Sequence, residues 1–374
     1  MPTPSEVLWD RELHTAAKHK VYETYFNAWF PILLQSRYAR GGITYAEGFA
    51  GPGEYADRSP GSPLIALRSA LQCAAPPTPR RPVNFLLAER DGNRLYHLRG
   101  LLESELGSLD PTYLRSRGLT VDAREGDCET VLPRLLSEHQ AWHKPMLVIL
   151  DTWGAAVSFS LLRRIAGSKS AEAIVTIQPQ HFVRFATDPE HFGDNIFGPV
   201  LWRDVQHQAT PHKAEYIRSQ YRRTLNEAAF RYVLDFQLAD EKSNLLYLVY
   251  GTNHRLGVEK MKEAMWTVDP YHGIGYRDPR DPNQQTLAIE PTPQTTALRR
   301  LIAEHVARLP DQRATVEALR DFTLFETVYK PSQTTQALQR LLSDGVLRRQ
   351  QPAGRLEPKS VIALNEQQVL PLDA

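Results

Sequence analysis

The chain has 374 residues, 42% of them hydrophobic and 23% charged, which is typical of a soluble globular protein with room for more than one domain. Its formal net charge is only +1, so any nucleic-acid-binding surface must be a local patch. The two cysteines, Cys73 and Cys128, form no CxxC pair, which argues against a disulfide framework or a cysteine-rich zinc site and favours a cytoplasmic location. The N-terminus lacks a signal-peptide pattern, and no apolar run is long enough to predict a membrane span.

Strands and helices alternate along most of the chain. The strands are predicted at 43–47, 83–89, 119–126, 145–152, 173–178 and 244–252. Helices are predicted at about 13–34, between successive strands, at roughly 212–237 and at 257–266. Because the strands are apolar on both faces, the pattern predicts an α/β fold with a parallel sheet that is covered by helices.

From Thr295 the pattern changes to three short helices followed by a hairpin, which is the pattern of a winged-helix domain. We therefore predict two domains, 1–290 and 291–374. The third helix and the wing could offer polar side chains to DNA: Ser332, Gln333, Thr334, Thr335, Gln336, Arg340, Arg348 and Arg349. Winged helices also bind proteins, and the nearly balanced charge of this segment favours neither use.

A glycine-rich segment, YAEGFAGPGEY, follows the first predicted strand. Glycine permits a positive φ and a close approach of a ligand to the backbone, and the N-terminus of the next helix offers free N–H groups. The segment matches neither the P-loop nor the GxGxxG motif. Its E-G-F-A-G-P-G spacing resembles motif I of the class I S-adenosylmethionine (SAM)-dependent methyltransferases. This resemblance implies that the methionine part of SAM is held by Glu47, Gly48, Phe49, Ala50, Gly51 and Gly53. The alternative is a tight turn without a ligand.

Acidic residues also end or follow the next three predicted strands. In the methyltransferases, the acid at the end of the second strand binds the ribose hydroxyls, which implies this role for Glu89. Asp127 follows the third strand and matches the residue near the adenine. Asp151 follows the fourth strand, at motif IV, where the target atom meets the methyl group. Open α/β sheets bind ligands at the carboxyl ends of their strands, so we expect one shared site.

The motif IV segment reads Asp151-Thr152-Trp153-Gly154, with threonine where related motifs have proline. In amino methylation an acidic or amide side chain and a backbone carbonyl accept hydrogen bonds from the target NH2, and an aromatic ring stacks on the extruded base. Asp151 and Trp153 are therefore the candidate catalytic residues. The alternative is that Asp151 only caps a helix and Trp153 only packs.

Over roughly residues 10–270 the chain resembles the bacterial three-Cys-motif partner protein family, and the resemblance rests on HTAAKHKVYETYFNAWFPIL, YAEGFAGPGEY with SPGSPLIAL, VILDTWG and YGTNHRLGVEKMKEAMWTVDP. The resemblance implies a Rossmann-like class I methyltransferase fold and a partner protein that carries a cysteine motif. Together with the methyltransferase motifs, the sequence favours methyl transfer from SAM to a nucleic acid, with an exocyclic amine as a target. A catalytically inactive scaffold and a small-molecule transferase remain the alternatives.

The remaining polar residues carry weaker signals. The histidine spacings do not match HExxH, so no metal site is predicted. His14 and Lys18 lie on the first helix and could approach the cofactor pocket, but solvated or helix-stabilising roles are the simpler interpretation. Lys262 is expected on a solvated helix face.

Overall fold

A computed structural model describes residues 6–36, 41–152, 157–188, 193–277, 295–350 and 354–365. The chain divides into two compact units. Unit 1 comprises Met1–Val268 and Gly275–Leu287, and unit 2 comprises Asp269–Ile274 and Ala288–Ala374.

Unit 1 is built on a large, mostly parallel sheet, which within the described residues has eight strands. They are β1 (Ile43–Glu47), β2 (Val83–Glu89), β3 (Leu119–Glu125), β4 (Met146–Leu150), β5 (Ala171–Ile177), β6 (Tyr232–Ala239), β7 (Leu245–Thr252) and β8 (Gly275–Arg277). Their order across the sheet is β3-β2-β1-β4-β5-β7-β6-β8, and β7 runs opposite to the other strands. This mixed α/β architecture is consistent with a Rossmann-like methyltransferase fold.

Helices cover both faces of the sheet. They are α1 (Leu13–Gln35), α2 (Ser62–Gln72), α3 (Gly92–Leu106), α4 (Pro111–Ser116), α5 (Cys128–Glu138), α6 (Phe159–Ala166), α7 (Pro179–Phe185), α8 (Gly193–Phe197), α9 (Lys213–Glu227) and α10 (Arg255–Val268). Neighbouring strand residues point to opposite faces, so Tyr45 packs in a core with α1 to α4 and α10, whereas Ala46 packs with α5 to α9. Burial on both faces explains the continuously apolar strands.

Two of these helices begin immediately after a strand, each with an aspartate as its N-cap. The Asp91 side chain accepts hydrogen bonds from the backbone N–H groups of Asn93 and Arg94, and Asp127 accepts one from Glu129. Capping by aspartate satisfies N–H groups that have no partner inside the helix. The caps fix the N-termini of α3 and α5 at the carboxyl edge of the sheet.

A buried polar cluster joins α1 to the sheet. The Tyr25 hydroxyl donates to Glu172 Oε2 at 2.6 Å and lies 2.7 Å from the Tyr250 hydroxyl. Thr252 Oγ1 donates to Glu172 Oε1 at 2.9 Å. Both oxygens of this buried carboxylate therefore have partners, as a buried polar group requires.

The helix predicted at 212–237 is wrong in its second half. Helix α9 ends at Glu227, Ala229 adopts a φ of +86°, and strand β6 begins at Tyr232. The polar residue Asp235 within this strand bonds Arg218 and Arg222 of α9, each at 2.5 Å. These long-range ion pairs allow a charged residue in the strand, and no local pattern shows them.

Unit 2 contains three helices and a small antiparallel sheet among its described residues. The elements are α11 (Thr296–Arg308), β9 (Arg313–Thr315), α12 (Val316–Glu326), α13 (Pro331–Ser343), β10 (Leu347–Arg349) and β11 (Val361–Leu364). The strand order is β10-β11-β9. The helices and the hairpin lie near their predicted positions, whereas β9 was not predicted.

Within the described ranges, no helix combines the length and apolar character needed to cross a membrane.

Candidate functional site

A cavity of about 500 Å³ lies in unit 1, at the carboxyl ends of β1 to β5. Its walls come from the loops that follow these strands, from the first turns of α1 and from the segment before α1. This is the edge at which open α/β sheets bind ligands.

Most of the predicted site residues meet at this cavity. Its lining includes the predicted cofactor residues Gly48, Phe49, Ala50, Gly51, Gly53, Glu89 and Asp127, together with Asp151. Glu47 does not line the cavity, because it is buried with 1% exposure at the end of β1. Trp153 lies outside the described residues.

The glycines of the loop after β1 serve different purposes. A Cβ at Gly48 would lie 2.3 Å from Cys128 Sγ, so glycine allows the loop to pack against α5. Gly51 has a φ of +63°, and a Cβ there would meet only the Trp9 ring, at 3.9 Å. The requirement for glycine at position 51 is therefore conformational, and the space beside it remains open.

Glu89 holds this loop against β2. Its Oε2 accepts the Gly51 N–H at 2.8 Å, and its Oε1 accepts the Asp91 N–H at 2.9 Å. The side chain is almost buried yet borders the cavity. Because each carboxylate oxygen has more than one acceptor site, both can still accept a hydrogen bond from a ligand.

Glu47 is a buried carboxyl with one unsatisfied oxygen. Its Oε1 accepts a hydrogen bond from the Tyr45 hydroxyl, whereas Oε2 makes none within the described chain. Burial raises the pKa of Glu47 from 4.5 to about 8, although the hydroxyls of Tyr45 and Ser62 partly offset this effect. Glu47 is therefore mostly protonated at neutral pH in the protein without a ligand.

Lys18 and Asp151 form an ion pair in the cavity wall. Lys18 Nζ bonds Asp151 Oδ2, and the Tyr22 hydroxyl lies 3.5 Å from the same oxygen. Lys18 and Tyr22 are one helical turn apart and share a face of α1. Lys18 is 7% exposed and borders the cavity, so it does approach the predicted pocket, and the solvated role that the sequence analysis favoured is wrong.

Two other polar residues of helices are more buried than the favoured interpretation predicted, although His14 was also named as able to approach the pocket. His14 is 9% exposed and lies in the cavity wall, where its Nδ1 is 3.1 Å from Glu12 Oε2. Lys262 of α10 is only 2% exposed, so the predicted solvated helix face is wrong there too. Charge alone therefore did not reveal which side of these helices was buried.

The segment before α1 forms the wall beside Gly51. The Trp9 carbonyl accepts the Ala56 N–H at 3.0 Å, and the Trp9 ring lies edge-on to Tyr55 with 5.8 Å between the ring centroids. The Arg94 guanidinium lies 5.0 Å from the centre of the Trp9 ring, within the range of a cation–π interaction. Nothing in the local sequence predicted this wall.

Thr152, which replaces the proline of related motifs, is buried beside Asp151. Its carbonyl accepts a hydrogen bond from Thr176 Oγ1 at 3.2 Å, and its own hydroxyl makes none within the described chain. The residue thus ties the end of β4 to β5. No group of three or more His, Cys, Asp and Glu side chains in the described residues is arranged to hold a metal ion.

The sequence analysis missed Tyr22, and it named Lys18 as able to approach the pocket but favoured a solvated or helix-stabilising role. Both lie among the apolar residues of α1, at the spacing of one face of the helix: Ala17, Val21, Tyr25 and Phe26 are also buried. A lysine on an otherwise buried face is the signal that could have identified it.

The chain matches no known family model and no curated protein. Among solved structures it is similar to EvdMO1, with 11% identity and a TM-score of 0.33 over 64% of this chain and 42% of EvdMO1, so the match spans less than half of that protein. It is also similar to the N-terminal domain of EvdMO1 in the presence of SAH and D-fucose, with 12% identity, a TM-score of 0.33 and coverage of 67% and 100%. The third is the B. subtilis tRNA methyltransferase TrmK, with 8% identity, a TM-score of 0.28 and coverage of 84% and 93%. Similarity at these TM-scores supports no argument about function.

Proposed function

We propose that the chain is a SAM-dependent methyltransferase that acts on a nucleic acid. One observation supports this above the others: the glycine loop after β1, Glu89 at the end of β2 and Asp151 after β4 border the same cavity. An α/β sheet that gathers acids and a glycine loop at its carboxyl edge is suited to a ligand with ribose and amino groups.

The residues of the cavity fit SAM in two places. The Glu89 oxygens can accept the ribose hydroxyls, and the loop at Gly51 leaves room for the ligand next to them. Asp127 also borders the cavity, where its role near the adenine remains a prediction. Glu47 does not line the cavity, so its contact with the methionine part of SAM likewise remains a prediction. When bound, SAM supplies an electrophilic methyl group.

The methyl acceptor would lie at Asp151, which is exposed to the cavity next to Lys18. Motif IV resembles that of amino-group methyltransferases, so an exocyclic amine is one acceptor that the assay must test. That Trp153 stacks on a base remains a prediction.

Unit 2 supports the proposal of a C-terminal winged-helix domain at 291–374, after a methyltransferase domain at 1–290. Its helix–strand–helix–helix–strand–strand order fits this arrangement. Gln333 and Thr334 are buried, so the exposed face of α13 would use Ser332, Gln336 and Arg340 instead. Arg349 bonds the carbonyls of Gly354 and Arg355, so its guanidinium is engaged in the wing itself.

The partner of unit 2 is proposed to be a nucleic acid or a protein with a cysteine motif, as in the three-Cys-motif partner family that the sequence resembles. Deletion of the chain from about residue 294 onward should leave a domain that still binds SAM but has lost affinity for the macromolecule. Insoluble truncated protein would argue for one common core instead. The two free cysteines fit a cytoplasmic location, which is part of the same proposal.

The decisive experiment has two stages. Calorimetric titration of the full chain with SAM and with its demethylated product, S-adenosylhomocysteine (SAH), tests whether the chain binds the cofactor. Labelled methyl groups are then followed from SAM into DNA, RNA and small-molecule fractions. We expect binding of both ligands, and Asp151→Ala should abolish turnover while SAH affinity stays nearly unchanged. If the wild type binds SAM but transfers no label, even with a cysteine-motif partner, it is a scaffold. Label only in the small-molecule fraction would identify a small-molecule transferase.

A further inference from the structure

The surroundings of Asp151 are poorly suited to an amine. Methyl transfer to an amino group requires acceptors that bind its N–H groups and aim the nitrogen lone pair at the methyl carbon. Here Asp151 Oδ2 already meets the Lys18 ammonium and the Tyr22 hydroxyl. The Thr152 carbonyl accepts a hydrogen bond from Thr176. Asp151 Oδ1 is left as the oxygen that accepts no hydrogen bond from the described residues, and a hydroxyl needs one such acceptor whereas an NH2 group needs two.

Lys18 adds a hydrogen-bond donor at the place where the group that accepts the methyl must lie. A lysine ammonium has three N–H donors and no acceptor, so it cannot receive a hydrogen bond from an amine. One of its N–H groups is used by Asp151, and Lys18 borders the cavity. An oxygen nucleophile suits such a pair, because its lone pairs can face the ammonium while its proton faces a carboxylate.

On the basis of the proposed function, we propose that the methyl acceptor is a hydroxyl group and that Lys18 and Asp151 act on it together. Within a nucleic acid chain this group is the 2′-hydroxyl of ribose, so the substrate is RNA. The acceptor oxygen bonds the methyl carbon as the carbon–sulfur bond breaks, and that electron pair stays on sulfur. The hydroxyl proton passes to the Asp151 carboxylate, while Lys18 stabilises the negative charge that develops on the oxygen.

The position of Lys18 is held independently of the pair. Seven residues further along α1, Tyr25 is anchored to Glu172 and Tyr250 in the buried cluster. Lys18 is thus presented to the cavity by a helix that is fixed to the sheet elsewhere. The ion pair is not needed to place α1, which makes a purely structural role for Lys18 testable.

The atom that accepts the methyl group can be identified by comparing RNA with DNA, which lacks the 2′-hydroxyl. The full chain is incubated with labelled SAM and random-sequence RNA or DNA pools of equal length, which share the same exocyclic amines. We expect label in RNA only, and mass spectrometry of the digested nucleosides should find the methyl group on ribose. Label on base nitrogens, or in both pools equally, would overturn the hydroxyl acceptor but leave the proposed function intact. Binding of SAH without transfer to either pool would overturn both.

Variants of Lys18 distinguish a role in methyl transfer from a purely structural role. Lys18→Met should lower the single-turnover rate by about 100-fold or more, with an SAH dissociation constant within about threefold of wild type. Lys18→Arg should recover part of the rate. The matched control is Lys20→Met, because Lys20 lies on the same helix but is exposed and pairs only with Glu23 among the described residues.

A double variant supplies a readout apart from activity. Lys18→Met leaves Asp151 without its cation, so it should lower the urea midpoint, and Lys18→Met with Asp151→Asn should restore that midpoint without restoring the rate. A double variant that regains both stability and transfer would show that the pair is only structural. Unchanged transfer in folded Lys18→Met would likewise overturn the proposal.

Discussion

Replacing Glu47 by glutamine should remove a large pH dependence of stability. Burial raises the pKa of the Glu47 carboxyl from 4.5 to about 8 in the folded protein. Between these two pH values the folded state binds a proton that the unfolded chain has lost. Stability must therefore fall as the pH rises through this window. Glutamine carries no such proton, but it keeps the size of the side chain and an oxygen that can accept from Tyr45.

The size of the effect follows from the two pKa values. One pKa unit corresponds to about 1.4 kcal/mol, so the wild type should lose about 3–4 kcal/mol of unfolding free energy between pH 5 and pH 8 relative to Glu47→Gln. Near pH 5 the two proteins should be similar in stability, because the wild-type carboxyl is then protonated.

Urea unfolding of both proteins between pH 5 and pH 8, followed by circular dichroism, measures this difference. Glu54→Gln is a suitable control, because Glu54 is also buried but is paired with Arg58 and His97, and it should leave the steep wild-type decline in place. If wild type and Glu47→Gln show parallel profiles, Glu47 is ionised in the folded protein and our account of its burial is wrong.

Two further predictions concern ligand binding and packing. Glu89→Ala should weaken SAH binding by about 1–3 kcal/mol, because it removes charge-assisted hydrogen bonds to the ligand and the support of Gly51. An unchanged dissociation constant would remove Glu89 from the site. Gly48→Ala should lower the unfolding free energy by about 1–3 kcal/mol, because the new Cβ meets Cys128 Sγ, and an unchanged thermal midpoint would contradict this.

The strands around the site could be predicted because their signals are local. The predicted strands 43–47 and 83–89 coincide with β1 and β2, since each is a short apolar run that ends in an acidic residue. The positions of Glu89 and Asp151 at one edge followed from the parallel order of the strands. The roles of the predicted site residues and the domain boundary at 290 remain predictions.

The residues that escaped prediction depend on contacts between distant parts of the chain. Lys18 and Asp151 are 133 residues apart, and only the packing of α1 against the sheet brings them together. The second half of the predicted helix 212–237 is strand β6, in which Asp235 is neutralised by Arg218 and Arg222 of the preceding helix α9. Periodicity reports which face of an element is apolar, but it does not report which charged group a neighbouring element will neutralise.

The anchoring of α1 fixes a distance along the chain as well as a position in space. Tyr25 is held by Glu172 and Tyr250, so the rotation of the helix about its own axis is set there. Inserting one residue between Lys18 and Tyr25 would turn Lys18 by about 100° away from Asp151, whatever residue is inserted. The interval of seven residues, close to two helical turns, is therefore a constraint on the length of this segment in its own right. Related chains could change the residues inside the interval freely on the exposed side, but they could not change their number by one and keep the lysine at the cavity.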